Sequence, residues 1–472
     1  MYTQYNTLYI IYIMFSYAAN CKEVMRVANI ARVASISRVF SSSLSPSNSA
    51  NPHRGSFVIQ SFNTISPIGL EKFPRESYTV SGKPDTSNPH AIILRSHALQ
   101  EDQIPNSVRC IARCGSGVNN IPVPRMTVKG IPIFNTPGAN SNAVKELAIC
   151  GILLASRRIV DGINHMVDLG DKGLARERVE VDKAMFKGCE IKGKTLGIVG
   201  LGHIGSSIAH DATALGMKVI GHDSRLSLSS AIKLPSETEL FDNVEHIFKH
   251  ADYISLNIPY INKPVHEGGT HNMISHELLR MMKPNTTILN MARGELVDSK
   301  ALRDVFDSGG TGKYVTDFPD DLLYNHPNAI ILPHLGASTA EAEDMAATMA
   351  VDTVKLFLET GTIVNSVNFP ETILCPRGDN VVRIVVVNVN KSSVTEYIAD
   401  LVANSNLNLL QQVSNSRDMI AYNVFDVECG TIETEKDGDV LTELQKQITT
   451  ADGVISIRFI SNHHYGHLMD TA

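Results

Sequence analysis

Leu196 to Asp223 reads LGIVGLGHIGSSIAHDATALGMKVIGHD. It opens as an apolar strand, turns through G-x-G-x-x-G at Gly200, Gly202 and Gly205, runs on with helical spacing, and ends after a second apolar run at Asp223. The glycine pattern alone is weak. A strand before it, a helix after it and an acid about twenty residues on give it meaning. Gly200 suits a tight turn, Gly202 lets the backbone approach a pyrophosphate, and Gly205 lets the helix pack close to the sheet. The helix N-terminus, with His203 and Ile204 in its first turn, offers free N–H groups and the positive end of a dipole to that anion. Asp223 can accept hydrogen bonds from the adenosine ribose and would repel a 2′-phosphate, which favours NAD over NADP. His222 beside it softens that discrimination.

Working outward, KVIGHD, HADYISLNIP, TTILNMARG, GKYVTDF and AIILPHLG are further short apolar runs, several separated by helical patterns. Such alternation predicts a parallel sheet with helices on both faces. Upstream, FVIQSFN, AIILRSH, VRCIARC and IPIFNTP predict four more strands, and Ser141–Ile159 predicts one long, mostly buried helix. The charged residues 170–194 read as surface and linker. Downstream, residues 340–361 predict another long helix, and a Pro/Asn-rich linker follows. From about Val381 the order strand, helix, strand, strand, helix, strand predicts a ferredoxin-like unit.

A chain of 472 residues is too long for one core, and about three domains is the natural expectation. Hydrophobic residues at 43% and charged residues at 19% are those of a globular protein. A net charge of -7 argues against a nucleic-acid surface, which needs a basic excess. Seven scattered cysteines without a CxxC pair read as reduced thiols. The longest apolar run, Leu8–Ala19, is too short to span a membrane. Residues 1–56 hold one acid, Glu23, against Lys22, Arg26, Arg32, Arg38 and Arg54, and are rich in serine. That composition predicts a transit leader to a mitochondrion or plastid, with Met25 as an alternative start.

Oxidising a 2-hydroxy acid needs a base for the hydroxyl proton, a cation for the carboxylate and a partner that sets the base's tautomer. His334, in ILPHLGAST, suits the first role. Arg293, in NMARGELVD, directly follows an apolar strand, and strand carboxyl ends are where sites form in open parallel sheets. Its guanidinium fork suits a carboxylate. Arg95 ends another apolar strand, and GSGVNN (115–120) is a polar turn with a flexible backbone. A phosphorylated substrate needs further cations, for which Arg95 and Lys129 are the candidates.

GLGHIG…GHD, MARGELVD, VTDFP and PHLGAST, in this order, resemble the D-isomer-specific 2-hydroxyacid dehydrogenases. FNTISPIGLEKFP, AIILRSHAL, IARCGSGVNNIPV and IPIFNTPGANSNAVKELA narrow the resemblance to members that oxidise 3-phosphoglycerate at the entry to serine synthesis, and the last block resembles their regulatory ACT domain. The resemblance implies an α/β fold in which a Rossmann-type NAD domain (158–336) is inserted into a flavodoxin-like substrate domain (57–157 and 337–366), with an ACT-like domain at 381–460. It implies NAD as cofactor and no metal, with a homodimer through the NAD domains and tetramers possible through the ACT-like ones. His334 would be the acid/base and Arg293 the carboxylate clamp. Arg95, Ser96, Gly117 and Asn119 would line the substrate side, and Pro259 and Asp317 the nicotinamide side.

Two departures stand out. The family places a glutamate shortly after the strand that ends at Asp317, whereas this chain reads TDFPDDLLYNHP. Aspartate keeps the charge but is shorter by ~1.5 Å. Allowing a one-residue gap selects Asp321 as the histidine partner, with Asp320 as the alternative. The turn after the first ACT-like strand, NVNKSSVTEYI, lacks the usual proline and glycine and carries Lys391, so serine is expected to inhibit weakly or not at all. Beside the 3-phosphoglycerate reading stand another 2-hydroxy acid and an NAD-sensing regulator with weakened chemistry.

Overall fold

The computed structural model describes residues 57–83, 86–405, 407–428 and 435–461. The leader, and with it the targeting expectation, lies outside them. The described residues belong to one compact unit that begins at Gly55.

The first of three sheets is built from Phe57–Ser61 (β1), Tyr78–Ser81 (β2), Ala91–Leu94 (β3), Cys110–Arg113 (β4) and Ile133–Phe134 (β5). Its order, β2-β1-β3-β4-β5, is the flavodoxin-like one, and every pairing is parallel. β3 is buried along its whole length, which is why it reads as the unbroken run AIIL. The strand expectations omit β2, an edge strand whose YTVS has too mixed a pattern to announce itself.

Ser141–Arg157 (α1) ends one residue short of a turn to Ile159–Asp171 (α2), and Ala175–Asp182 (α3) follows. The single long helix is therefore interrupted at Arg158, whose φ of 50° is left-handed. Its guanidinium donates to Asp161 at 2.9 Å. Part of the charged stretch is helical rather than linker. Gly151 sits in α1 because a Cβ there would come within 3.0 Å of Leu289 and 3.2 Å of Val315, so its absence lets the helix press onto the second sheet.

That sheet comprises Thr195–Val199 (β6), Lys218–His222 (β7), Glu239–Leu240 (β8), Tyr253–Leu256 (β9), Thr287–Asn290 (β10), Tyr314–Thr316 (β11) and Ala329–Ile331 (β12), with His203–Ala214 (α4) between the first two. The order β12-β11-β10-β9-β6-β7-β8 is Rossmann-like with one added strand, and all pairs are parallel. The chain reverses its direction of growth between β6 and β9, so a crevice opens at their carboxyl ends.

Ala340–Thr360 (α5) returns the chain to the first sheet. Ala346, Ala347, Ala350, Val351 and Val354 form its buried stripe, packed with Cys110, Ala112 and Phe134. The last sheet holds Val381–Val389 (β13), Asn408–Arg417 (β14), Ile420–Glu428 (β15) and Val454–Ile460 (β16), with Ser392–Ala403 (α6) and Glu435–Thr449 (α7). Its antiparallel order β14-β15-β13-β16 is that of the expected ferredoxin-like unit. Arg383, 1% exposed, joins it to the rest. Its guanidinium forks onto Asp426 with two bonds of 2.7 Å and donates to the Thr360 carbonyl at 2.8 Å. The turn after β13 is closed on itself. Lys391 N–H donates to the Val389 carbonyl at 2.7 Å, and Asn390 N–H to that of Met419 at 2.8 Å.

Candidate active site

Gly200 leaves β6 with φ of 92°, a conformation that favours glycine. A Cβ at Gly205 would strike the Gly200 carbonyl, whereas one at Gly202, the N-cap of α4, would meet nothing within 4 Å. The loop is thus tight on its inner side and open where a pyrophosphate would approach. Asp223, just past β7, is tied to this loop: its carboxylate accepts Leu201 N–H at 2.7 Å and Arg225 N–H at 2.8 Å. His222 is turned to the sheet edge, with Nδ1 2.9 Å from the Phe241 carbonyl oxygen. His203 lies 3.0 Å from where a Cβ of Gly138 would stand, and so reaches across to the loop after β5. Ile204 is half-buried against the core beneath α4. Pro259 is exposed past β9, its carbonyl accepting the Thr270 hydroxyl at 2.8 Å.

Asp317, 1% exposed, directly follows β11. One carboxylate oxygen accepts Gly336 N–H at 2.8 Å, and the other has no partner among the described residues. Burial pushes its carboxyl pKa up, against the pull of the Gly336 N–H, His334 and Arg293. A buried acceptor left open at the sheet's carboxyl edge fits the amide of a nicotinamide, as the open Gly202 fits a pyrophosphate.

His334 has φ of 33°, an uncommon conformation outside glycine, and its N–H donates to the Asp317 carbonyl at 2.8 Å. The imidazole is exposed and lies 4.8 Å, centroid to centroid, from the Phe318 ring. The Arg293 guanidinium lies 5.9 Å from that same ring. Phe318 therefore contacts both the candidate base and the candidate clamp. The loop behind Arg293 is fixed by fully buried Asn290, whose side chain accepts Ala292 N–H at 3.2 Å and donates to the Arg293 carbonyl at 2.8 Å.

The first sheet presents its own carboxyl ends to the same place. A Cβ on Gly117 would stand 2.5 Å from an Arg293 guanidinium nitrogen and 3.3 Å from the Asn119 side-chain oxygen. Arg95 pairs with Glu343 of α5 at 2.5 Å, and both line one cavity with Gly115, Asn140 and Ala337. Ser96 is held by its backbone N–H, which donates to Asn63 at 3.1 Å. Arg113, at the end of β4, donates to the Arg95 carbonyl at 3.0 Å. Burial pulls its pKa down, and Arg293 and Arg95 add to that. Sequence reasoning passed over Arg113, Phe318 and Asn290. Arg113 had the same signal as Arg95, a cation closing an apolar run.

Lys129 and the two aspartates stand apart from these positions. Lys129 precedes β5 and pairs with Glu101 at 3.1 Å, at the end of the sheet opposite Arg95. It is corrected from substrate cation to a residue of that far end, because a parallel sheet puts all its strand amino ends together. No hydrogen bond or ion pair joins Asp320 or Asp321 to His334. Asp320 is spent on the Ser299 hydroxyl at 2.5 Å and the N–H groups of Leu322 and Leu323 at 3.0 and 3.1 Å. Asp321 is exposed.

A profile of the D-isomer specific 2-hydroxyacid dehydrogenase NAD binding domain matches residues 151–336. A Methanocaldococcus jannaschii D-3-phosphoglycerate dehydrogenase is 36% identical over 269 residues, 56% of this chain; the match spans about half (48%) of that protein. A Schizosaccharomyces pombe relative is 32% identical over 368 residues, 72% of this chain and 73% of that protein. The NAD-bound 3-phosphoglycerate dehydrogenase structure from Entamoeba histolytica is similar in fold, with a TM-score of 0.53, 23% identity, and coverage of 68% of this chain and all of that one. This is an NAD-binding chain, and it belongs to the D-isomer-specific 2-hydroxyacid dehydrogenase family.

Proposed function

We propose that this chain oxidises D-3-phosphoglycerate to 3-phosphohydroxypyruvate, the first step of phosphorylated serine synthesis. The observation that carries the reading is the convergence of Arg95, Arg113 and Arg293 on one cleft beside His334. One guanidinium satisfies the carboxylate, and the other two suit a phosphate at the far end of the same small acid. Relatives named as D-3-phosphoglycerate dehydrogenases support it.

NAD, when bound, supplies the hydride acceptor. His334 takes the C2 hydroxyl proton as that C–H bond breaks, and Arg293 holds the carboxylate and stabilises charge on the C2 oxygen. Gly117 lies close against Arg293 from the opposite domain, with Asn119 beside it on the substrate side. Asp321 takes the role of histidine partner, since Asp320 is already committed to Ser299 and the following backbone.

The Arg95–Glu343 pair gives a second reading some weight, because Glu343 already neutralises one of the cations a phosphate needs. Under that reading the substrate is an unphosphorylated 2-hydroxy acid. Comparing 3-phosphoglycerate with glycerate in the parent and in Arg113→Gln separates the two. The phosphate reading expects a strong preference for 3-phosphoglycerate that falls about tenfold or more in the variant. Equal use of both acids contradicts it.

Three further assignments belong here. The exposed apolar face of α2 and α3, with Ile163, Met166, Val167 and Val179, suits a homodimer through the NAD domains. The closed turn at Asn390 and Lys391 supports weak or absent inhibition by serine. The composition of residues 1–56 supports import into a mitochondrion or plastid.

A further inference from the structure

β3 leaves its sheet at Leu94, whose carbonyl accepts Cys114 N–H at 2.8 Å. Arg95, Ser96 and His97 carry the chain on with no strand to pair against, so their backbone groups need other partners. Two asparagines supply them. The Asn63 side-chain oxygen accepts Ser96 N–H at 3.1 Å and His97 N–H at 2.7 Å. The Asn120 side-chain nitrogen donates to the Arg95 carbonyl at 3.1 Å and to the His97 carbonyl at 2.7 Å.

Each amide is matched to its side. An amide oxygen has two lone pairs and here meets two N–H groups; an amide nitrogen has two protons and here meets two carbonyls. Asn63 stands after β1 with φ of 65°, a left-handed conformation in which asparagine is enriched. Asn120 stands after β4, and its own carbonyl accepts Leu99 N–H at 2.9 Å. The His97 ring is stacked on Phe62 at 4.4 Å, centroid to centroid. The segment is therefore braced from two loops on opposite sides. The Arg95 side chain, by contrast, is half-buried and meets Glu343. Where its guanidinium points follows from how its backbone is held.

The turn that carries Asn120 also reaches the other end of the cleft. Its Gly117 lies against Arg293, with the Asn119 oxygen beside it. One short polar turn thus touches Arg293 and carries the backbone of Arg95, and so sets the spacing between the two guanidinium groups. We propose that Asn120, with Asn63 opposite it, is a positioning residue that aims Arg95 at the far end of the substrate. The pair thereby determines the preference for a 2-hydroxy acid that bears an anion there. This inference rests on the phosphorylated-substrate reading above.

The two asparagines make opposite chemical demands, and the test uses that. Asn120→Asp keeps the shape and loses both donors. Asn63→Asp keeps an acceptor, whereas Asn63→Ala loses it. Steady-state kinetics of the full chain are compared for 3-phosphoglycerate and for glycerate, which has no far-end anion. Asn120→Asp is expected to raise KM for 3-phosphoglycerate about tenfold, with kcat, KM for NAD and the glycerate constants unchanged. Asn63→Ala should move KM for 3-phosphoglycerate in the same direction, and Asn63→Asp should restore it. Asn63 is exposed, so its two variants decide the matter even where Asn120→Asp fails to fold. An unchanged KM in Asn120→Asp, an equal loss on glycerate, or an Asn63→Asp as impaired as Asn63→Ala overturns the positioning role. A parent that uses glycerate as well as 3-phosphoglycerate overturns the substrate reading and this role with it, because Arg95 then has no anion to meet. A parent that prefers 3-phosphoglycerate, with variants that keep the preference, overturns this role alone.

Discussion

The backbone of His334 hangs from that of Asp317, N–H to carbonyl at 2.8 Å, while the Asp317 carboxylate takes Gly336 N–H at 2.8 Å. One buried acid thus fixes both sides of the residue proposed as the base. Its second oxygen has no partner among the described residues and is the acceptor proposed for the cofactor amide.

Asp317→Asn tests that arrangement. The new amide oxygen can keep Gly336, which leaves an NH2 group where the open acceptor stood. NADH affinity is expected to fall about tenfold, as measured by fluorescence titration. Stability moves the other way. Burial raises the folded-state pKa above the unfolded ~3.9, so this group's contribution is complete below that value and is lost as pH rises through the folded one. At neutral pH the buried anion is a liability, and the variant's Tm should exceed the parent's. At pH 3 the difference should vanish.

Gly117→Ala puts a methyl group 2.5 Å from an Arg293 nitrogen. The obstructed atom ends a flexible side chain, so the fold should be kept and Tm should change little. A clamp displaced by ~1 Å is expected to lower kcat/KM about a hundredfold. A near-normal rate would mean that Arg293 is not the clamp.

Asp321→Ala and Asp320→Ala should separate chemistry from loop structure. Removing Asp320 strips three hydrogen bonds from the loop and should lower Tm. Removing Asp321, which is exposed, should leave Tm in place, lower kcat about tenfold or more and shift the pH–rate profile. An unaltered profile in Asp321→Ala would remove it from the catalytic set.

Val167→Asp places a charge on the exposed apolar face of α2, where Val167 is 60% exposed. Sedimentation is expected to show the parent as a dimer or tetramer and the variant dissociated towards smaller species, with NADH binding retained. Unchanged mass would put the dimer elsewhere.

The parts of this site written in local patterns were legible. The glycine loop and Asp223 lie within one strand-helix-strand unit, so their spacing alone placed them. Arg293, His334 and Arg95 were singled out because each closes an apolar run, and parallel strands put such ends together. The break at Arg158 was not legible, because a left-handed arginine inside a helical pattern leaves no compositional mark. Phe318 became visible only through its contacts with two loops, each from a different strand. Lys129 was misplaced because a cation near a strand was read without asking which end it occupied. The loop after Asp317 was the hardest, because one missing residue changes which acid can reach His334 without changing the local composition.

The most direct measurement is NADH formation by the purified full chain with 3-phosphoglycerate, glycerate and 2-hydroxyglutarate in turn, each with NAD and then NADP. The account predicts turnover on 3-phosphoglycerate with NAD, far above every other pairing. Turnover on another acid but not on 3-phosphoglycerate, or no turnover while NADH still binds, would contradict it.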